Sequence, residues 1–186
     1  MAALKHLIPG LEQTRVTAFS RASRSLKGWR ALTPRLMRLP IPRALVGCIC
    51  AWLINQGLSP MAIYVLTCFV TYMRPGECLR LVKKSLVFPQ RLGQFRHHGL
   101  VVNDQDMGIP GKTGLYDEAM VLDHCEWLIT PLTALAALAP NPLSPIFNFP
   151  VTELRKQFNL AVSYLRLQHL DPHLYSLRHG GPHTIY

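Results

Sequence analysis

The chain has 186 residues, a length that suits one domain of ordinary size with an additional arm. About half of the residues are apolar and the mean hydropathy is slightly positive, so a substantial core is available and global disorder is excluded. The formal charge of +10 is uneven, because residues 1–43 hold nine Lys and Arg against Glu12 alone, whereas residues 44–186 carry a net +2. A basic arm beside a nearly neutral globule is typical of a protein that binds a polyanion.

Residues 1–41 are predicted to form an arm or linker, and residues 42–186 the folded domain. Prolines and interleaved serines among the basic residues favour an extended backbone in the arm. The cations expected to contact DNA phosphates are Arg21, Arg24, Lys27 and Arg30. A solvated segment without a partner and an organelle transit peptide stay open as alternatives, since the arm is rich in Arg and Ser and poor in acidic residues.

No charged residue occurs in the thirty positions 44–73, and a membrane span needs roughly 20 continuous apolar residues. Polar residues divide this run near its middle. Gly57 is a good helix terminator, Ser59 a good N-cap, and Pro60 suits the first helical position. The pattern predicts two short buried helices, with a small membrane-associated helical protein as the alternative.

In the middle of the chain the spacing of apolar residues changes from a helical to a strand pattern. Pro75 opens a predicted helix that runs to about Lys84. Short β-branched or apolar runs separated by Gly, Pro and Asp then predict three antiparallel strands, at 86–88, 99–103 and 118–123. The segment 111–114 is expected at or near the turn that joins the last two strands.

The last third of the chain is predicted to be helical. One helix covers 124–138, with Pro131 as a break or restart, and an amphipathic helix covers 152–166. A final helix is expected to start near Ser176. The predicted fold class is therefore α+β and mainly helical, with a small antiparallel sheet of about three strands flanked by helices.

Neither the cysteines nor the histidines predict a metal site. The five cysteines are odd in number, lie in apolar runs and form no Cys-x-x-Cys pair, so they are predicted to be small buried hydrophobes in a reducing compartment. Among the C-terminal histidines two pairs lie four residues apart, a spacing that suits shared ligation on a helix. Pro172 interrupts the first pair and glycines surround the second, so no metal is expected.

Three cations that are distant in the sequence stand in distinctive settings: Arg74 in Met73-Arg-Pro-Gly-Glu77, Lys112 in Gly111-Lys-Thr-Gly114, and Arg178 in Tyr175-Ser-Leu-Arg-His179. An arginine presents a planar fork of donors that matches two phosphate oxygens. Two such forks, with a lysine as proton donor, suit attack on a phosphodiester without a metal. The structural alternatives are an arginine that caps a buried helix and a solvated turn lysine.

The Gly-Lys-Thr triplet also ends the nucleotide-binding motif Gly-x-x-x-x-Gly-Lys-[Ser/Thr]. That motif needs a glycine where this chain has Asp106, and a helix after Thr113, where the chain has Gly114. It therefore fails on both counts, and no nucleotide cofactor is expected.

The order and settings of Arg74, Lys112 and Arg178 resemble the catalytic domain of tyrosine recombinases, the phage-integrase family. The resemblance implies that the two arginines neutralise the scissile phosphate while Lys112 protonates the departing 5′ oxygen, without metal or other cofactor. Glu77 would orient Arg74, and His179 would be a further supporting residue. The family box is His-x-Leu-Arg-His, and this chain has Tyr175 at its first position, where its phenol would be a supporting residue that can donate a hydrogen bond to phosphate. Because a phenol cannot act as a general base near neutral pH, the proton-shuttling role of that histidine is in doubt.

The family continues past its second arginine with a histidine or tryptophan and then the nucleophilic tyrosine. The sequence ends eight residues after Arg178, and Tyr186 lies too close to match that nucleophile. We therefore expect a C-terminally truncated catalytic domain that binds duplex DNA in a nucleus or nucleoid, with a homo-oligomer on DNA as a further expectation and no membrane partner. The alternative is a non-catalytic DNA-binding remnant of a mobile-element recombinase.

Overall fold

The structure, a computed structural model, describes residues 25, 28–29, 40–89, 96–102 and 118–179. The chain divides into two compact units, Met1–Arg38 and Leu39–Tyr186. In the first unit the described residues lie in helical segments and are exposed. The predicted arm over residues 1–41 stays a prediction.

Two helices of 13 residues open the second unit, α1 (Arg43–Asn55) and α2 (Ser59–Thr71). The predicted division of the uncharged run into two helices is confirmed. Gly57 adopts a φ of 74°, which reverses the chain between the helices at no steric cost to a residue without a Cβ. Ser59 is the first helical residue and not the N-cap, which is Leu58. Within the described ranges, no helix is long and apolar enough to cross a bilayer.

The next helix is shorter than predicted. Helix α3 covers Pro75–Leu79, and a 3-10 helix follows at Lys83–Ser85. The intervening backbone pairs with a distant loop, because the N–H of Ile146 donates to the carbonyl of Leu81 at 2.9 Å and the N–H of Lys83 donates to that of Ser144 at 3.0 Å. This tertiary pairing ends the helix, which local propensity alone would have continued.

The predicted antiparallel sheet of three strands is confirmed. Its strands are β1 (Leu86–Val87), β2 (Gly99–Val102) and β3 (Glu118–Val121), in the order β1-β2-β3. In the observed register Leu100 lies between Leu86 and Met120. Leu86 and Leu100 are buried in the core, which fixes the face that the sheet presents inwards.

Helix α4 covers Glu126–Ala137 and follows a 3-10 helix at Asp123–Cys125. The prediction that Pro131 breaks this helix is wrong, since the helix is continuous through it. The ring removes one backbone donor, and burial of Leu128 and Leu132 on the inner face stabilises the helix across that position.

The C-terminal part of the described chain is built on the predicted amphipathic helix, α5 (Val151–Tyr164), whose inner stripe of Leu154, Phe158, Ala161 and Val162 is buried. Two 3-10 helices follow, Gln168–Leu170 and Leu174–His179. The last of them begins two residues before the predicted start at Ser176.

Helix α2 is the centre of this unit. Nine of its thirteen residues are buried, and it packs against α1, α3, α4 and the 3-10 helix Leu174–His179. All five cysteines are free, and four are buried as predicted, whereas Cys48 is exposed on α1. For Cys48 the prediction is wrong, because α1 buries only one face and this residue lies on another.

Candidate functional site

Arg74 lies in the short connection between α2 and α3. After the last residue of α2, Tyr72 adopts a left-handed conformation with a φ of 55°, and Met73 is buried. Arg74 itself is extended, and Pro75 opens α3 with its φ already suited to a helix. The connection is therefore fixed by backbone geometry on both sides of the arginine.

Glu77 binds both the backbone and the side chain of Arg74. One carboxylate oxygen accepts the backbone N–H of Arg74 at 2.9 Å, and the other contacts Nη1 at 2.6 Å. The side chain of Glu77 is 9% exposed and that of Arg74 is 28% exposed, so the pair is only partly screened by water. This contact is the one expected of a residue that orients Arg74, although the role of both residues in binding DNA stays a prediction.

Tyr64, which sequence reasoning did not single out, lies beneath this connection. Its hydroxyl donates to the carbonyl oxygen of Pro75 at 2.8 Å, and its ring is fully buried in a cluster with Phe147 and Phe149. Burial raises the pKa of Tyr64 well above its ordinary value, so the phenol stays protonated and remains a donor. A tyrosine within an uncharged helix was the available signal, because a buried phenol needs a hydrogen-bond partner.

The Arg178 segment is attached to the core through two leucines three residues apart. In the 3-10 helix Leu174–His179, Leu174 and Leu177 are buried in the core, while Arg178 is partly buried and Tyr175 is more exposed. Residues three apart in a 3-10 helix lie directly above one another. Tyr175 and Arg178 therefore share the face away from the core.

Ser176 stabilises the start of this segment. Its hydroxyl accepts the backbone N–H of His173 at 3.3 Å, and its own N–H donates to the carbonyl of His173 at 2.8 Å. Ser176 is buried, so these bonds satisfy polar groups that would otherwise be costly to bury.

Both arginine-bearing segments pack on α2, which leads directly into the Arg74 connection and also carries the Arg178 helix. Lys112 belongs to the chain between β2 and β3 and lies outside the described residues, as do the arm cations Arg21, Arg24, Lys27 and Arg30. His179 ends the described chain. The meeting of Arg74, Lys112 and Arg178 around one phosphate thus stays a prediction.

A second set of contacts, which sequence reasoning did not predict, lies at one end of the β2–β3 pair. Asp123 accepts the backbone N–H of His98 at 3.2 Å, and its other oxygen contacts the Nδ1 of His97. The N–H of Leu122 donates to the carbonyl of His98 at 2.8 Å. The hydrogen bond from His97 lowers the pKa of Asp123, with the His98 N–H contributing in the same direction. These bonds fix the strands at the end opposite to the connection that contains Lys112.

The sequence matches no protein-family profile and no curated protein. Its fold is similar to solved structures of the XerH site-specific recombinase. One is a post-cleavage complex with a palindromic difH substrate, at a TM-score of 0.53 and 15% identity over 77% of this chain and 40% of that chain. Another is a pre-cleavage complex with a difH substrate, at 0.52 and 16% over 78% and 43%. The chain spans less than half the length of these recombinase chains, and its fold resembles that of a recombinase.

Proposed function

We propose that the protein binds duplex DNA in the manner of a site-specific tyrosine recombinase, with Arg74 and Arg178 contacting one backbone phosphate. The observation that carries the proposal is the attachment of both arginine-bearing segments to α2 within a recombinase-like fold. In the same proposal Lys112 approaches that phosphate from the β2–β3 connection, and the basic arm adds contacts to the neighbouring backbone.

The chemistry of these side chains suits a phosphate diester. A guanidinium carries five N–H donors and stays charged at all physiological pH values. The carboxylate of Glu77 limits the orientations that the guanidinium of Arg74 can take. A cation held in this way loses less side-chain entropy when it binds an anion.

DNA binding without strand cleavage is the form of this function that the residues favour. Tyr175 stands where the family has a histidine, and a phenol cannot take up a proton as a general base near neutral pH. Phosphate binding and charge stabilisation by the arginines do not need that base. An active recombinase, which cleaves and rejoins DNA through a tyrosine nucleophile, is the alternative to be tested.

The first test is the salt dependence of binding to a labelled duplex, measured by fluorescence anisotropy. We expect the logarithm of the affinity to fall linearly with the logarithm of the salt concentration. Arg74→Ala and Arg178→Ala should each reduce the slope by about 0.9, the change expected when the protein neutralises one phosphate fewer. Lys156→Ala is the matched control, because it removes one positive charge from an exposed position of α5. Affinity that is indifferent to salt, or an equal weakening in all three variants, would refute the proposal.

A second test separates binding from catalysis. The protein is incubated with a nicked DNA substrate that traps a covalent protein–DNA intermediate, and the products are resolved on a denaturing gel. We expect salt-sensitive binding and no covalent adduct. An adduct that is abolished by Arg178→Ala would identify the protein as an active recombinase.

A further inference from the structure

We infer that Tyr64 is a positioning residue for Arg74, which it holds in place through the carbonyl of Pro75. This inference deepens the proposed function and rests on it, because it assigns to a buried tyrosine the placement of a side chain that binds phosphate. Tyr64 lies ten residues before Arg74, in the middle of α2, and its hydroxyl crosses to the residue that follows the arginine.

The hydrogen bonds on either side of Arg74 explain why one phenol can matter. The N–H of Arg74 is bound by Glu77 at 2.9 Å, and the carbonyl of Pro75 is bound by Tyr64 at 2.8 Å. Both bonds are made by buried side chains. The first fixes the start of α3 to its own first turn, whereas the second fixes it to α2. Tyr64 therefore joins the Arg74 connection to α2, the helix against which the Arg178 segment also packs.

The position of Tyr64 is itself tightly constrained. Its ring meets those of Phe147 and Phe149 edge to face, with centroid distances of 5.3 Å and 5.8 Å. A tyrosine has only two side-chain torsions, so a fully buried ring packed against two aromatic neighbours has little freedom to move its hydroxyl. A donor with so little freedom can hold the Pro75 carbonyl in one place.

The competing explanation is that Tyr64 is only a core aromatic whose hydroxyl is satisfied by the nearest carbonyl. Both explanations predict that removal of the hydroxyl lowers stability, because the carbonyl of the half-buried Pro75 loses a hydrogen bond. They differ in binding. Under the core explanation a folded variant neutralises the same number of phosphates, whereas a positioning role predicts that the binding of phosphate by Arg74 is weakened. The salt slope of DNA binding reports that number directly.

The experiment compares Tyr64→Phe with Tyr164→Phe in the full chain, by anisotropy with a labelled duplex at several salt concentrations. Tyr164 is 72% exposed at the end of α5, so its variant removes a hydroxyl without disturbing Arg74. We expect Tyr64→Phe to weaken binding by about three- to tenfold, the range for loss of one hydrogen bond of ordinary net strength, and to reduce the slope by up to about 0.9. Combining Tyr64→Phe with Arg74→Ala should cause no further weakening.

A second variant keeps the test decisive should Tyr64→Phe fold poorly. Tyr64→4-aminophenylalanine retains a hydrogen-bond donor at the same ring position, and circular dichroism establishes the temperature range in which each variant is folded. The amino variant is expected to restore the wild-type slope. A folded Tyr64→Phe with an unchanged slope, or a folded amino variant that binds no better than it, would overturn the inference while the proposed function stands. If Arg74→Ala itself leaves the slope unchanged, the proposed function fails at Arg74 and the role of Tyr64 falls with it.

Discussion

Substitution of Glu77 is the sharpest test of how the Arg74 connection is held together. Glu77→Ala removes the acceptor of the Arg74 N–H at 2.9 Å and the contact with Nη1 at 2.6 Å in a single change. It leaves the backbone N–H of Arg74, the residue before α3, and a partly buried guanidinium without those partners. Glu77→Gln keeps the shape of the side chain and one acceptor oxygen while it removes the charge.

The magnitude follows from these two interactions. Removal of a helix-capping acceptor costs about 1 kcal/mol. Removal of one partner costs about 3–5 kcal/mol for a fully buried ion pair and below about 1 kcal/mol for an exposed one. With the Arg74 side chain 28% exposed and that of Glu77 9% exposed, an intermediate value applies. We expect Glu77→Ala to lower the free energy of unfolding by about 2–3 kcal/mol, a fall in Tm of about 4–12 °C for a domain of this size. Glu77→Gln should cost about half as much, because one acceptor remains.

The assay is thermal and urea unfolding followed by circular dichroism, with Glu153→Gln as the matched control. Glu153 is 40% exposed, and its oxygen lies 3.9 Å from the Nζ of Lys156, so its charge should contribute below about 1 kcal/mol. Equal stabilities of Glu77→Ala and Glu153→Gln would refute the reasoning, since they would show that burial of the Arg74–Glu77 pair adds nothing.

Three further outcomes are expected. The hydrogen bond from His97 lowers the pKa of Asp123 in the folded protein, so the ionised Asp123 stabilises the fold above about pH 4, the ordinary aspartate value, and this stabilisation is lost as pH falls through the lower folded value. Thermal melts between pH 6 and pH 2 should show that Asp123→Asn lacks this part of the acid sensitivity. Identical pH profiles of the variant and the wild type would contradict the assignment. In the native protein a thiol reagent at pH 8 should label Cys48 rapidly and the four buried cysteines only after unfolding, as mass spectrometry of the adducts can show. Leu177→Ala should lower the free energy of unfolding by about 2–5 kcal/mol in urea titrations, because Leu177 is fully buried, whereas Leu138→Ala, at a position 80% exposed, should stay within about 0.5 kcal/mol of the wild type.

The elements with strong local signals were predictable from the sequence. The stripe of apolar residues in α5 has the helical period, and the short β-branched runs separated by turn residues give the three strands. The pair α1 and α2 was predictable because Gly57 marks the end of one helix and Pro60 the start of the next within an otherwise uninterrupted apolar run. In each case the signal lies within a few neighbouring residues.

The rest depends on contacts between distant residues, which no local pattern records. The end of α3 is set by pairing of Leu81 with Ile146, and the continuity of α4 through Pro131 is set by burial of its inner face. For the candidate site, the family resemblance implied that Glu77 orients Arg74, and the two side chains are in contact. The hydroxyl of Tyr64 on Pro75 could not be predicted, because their separation along the chain matches no helical contact.

The burial of α2 has a consequence for the durability of the site. Because most of its residues are buried, we expect its backbone amides to open only when the whole domain unfolds and to be among the slowest to exchange with deuterium. The anchorage of the Arg74 and Arg178 segments then lasts as long as the native state itself. Local opening of other segments would leave the packing of these two segments on α2 unchanged.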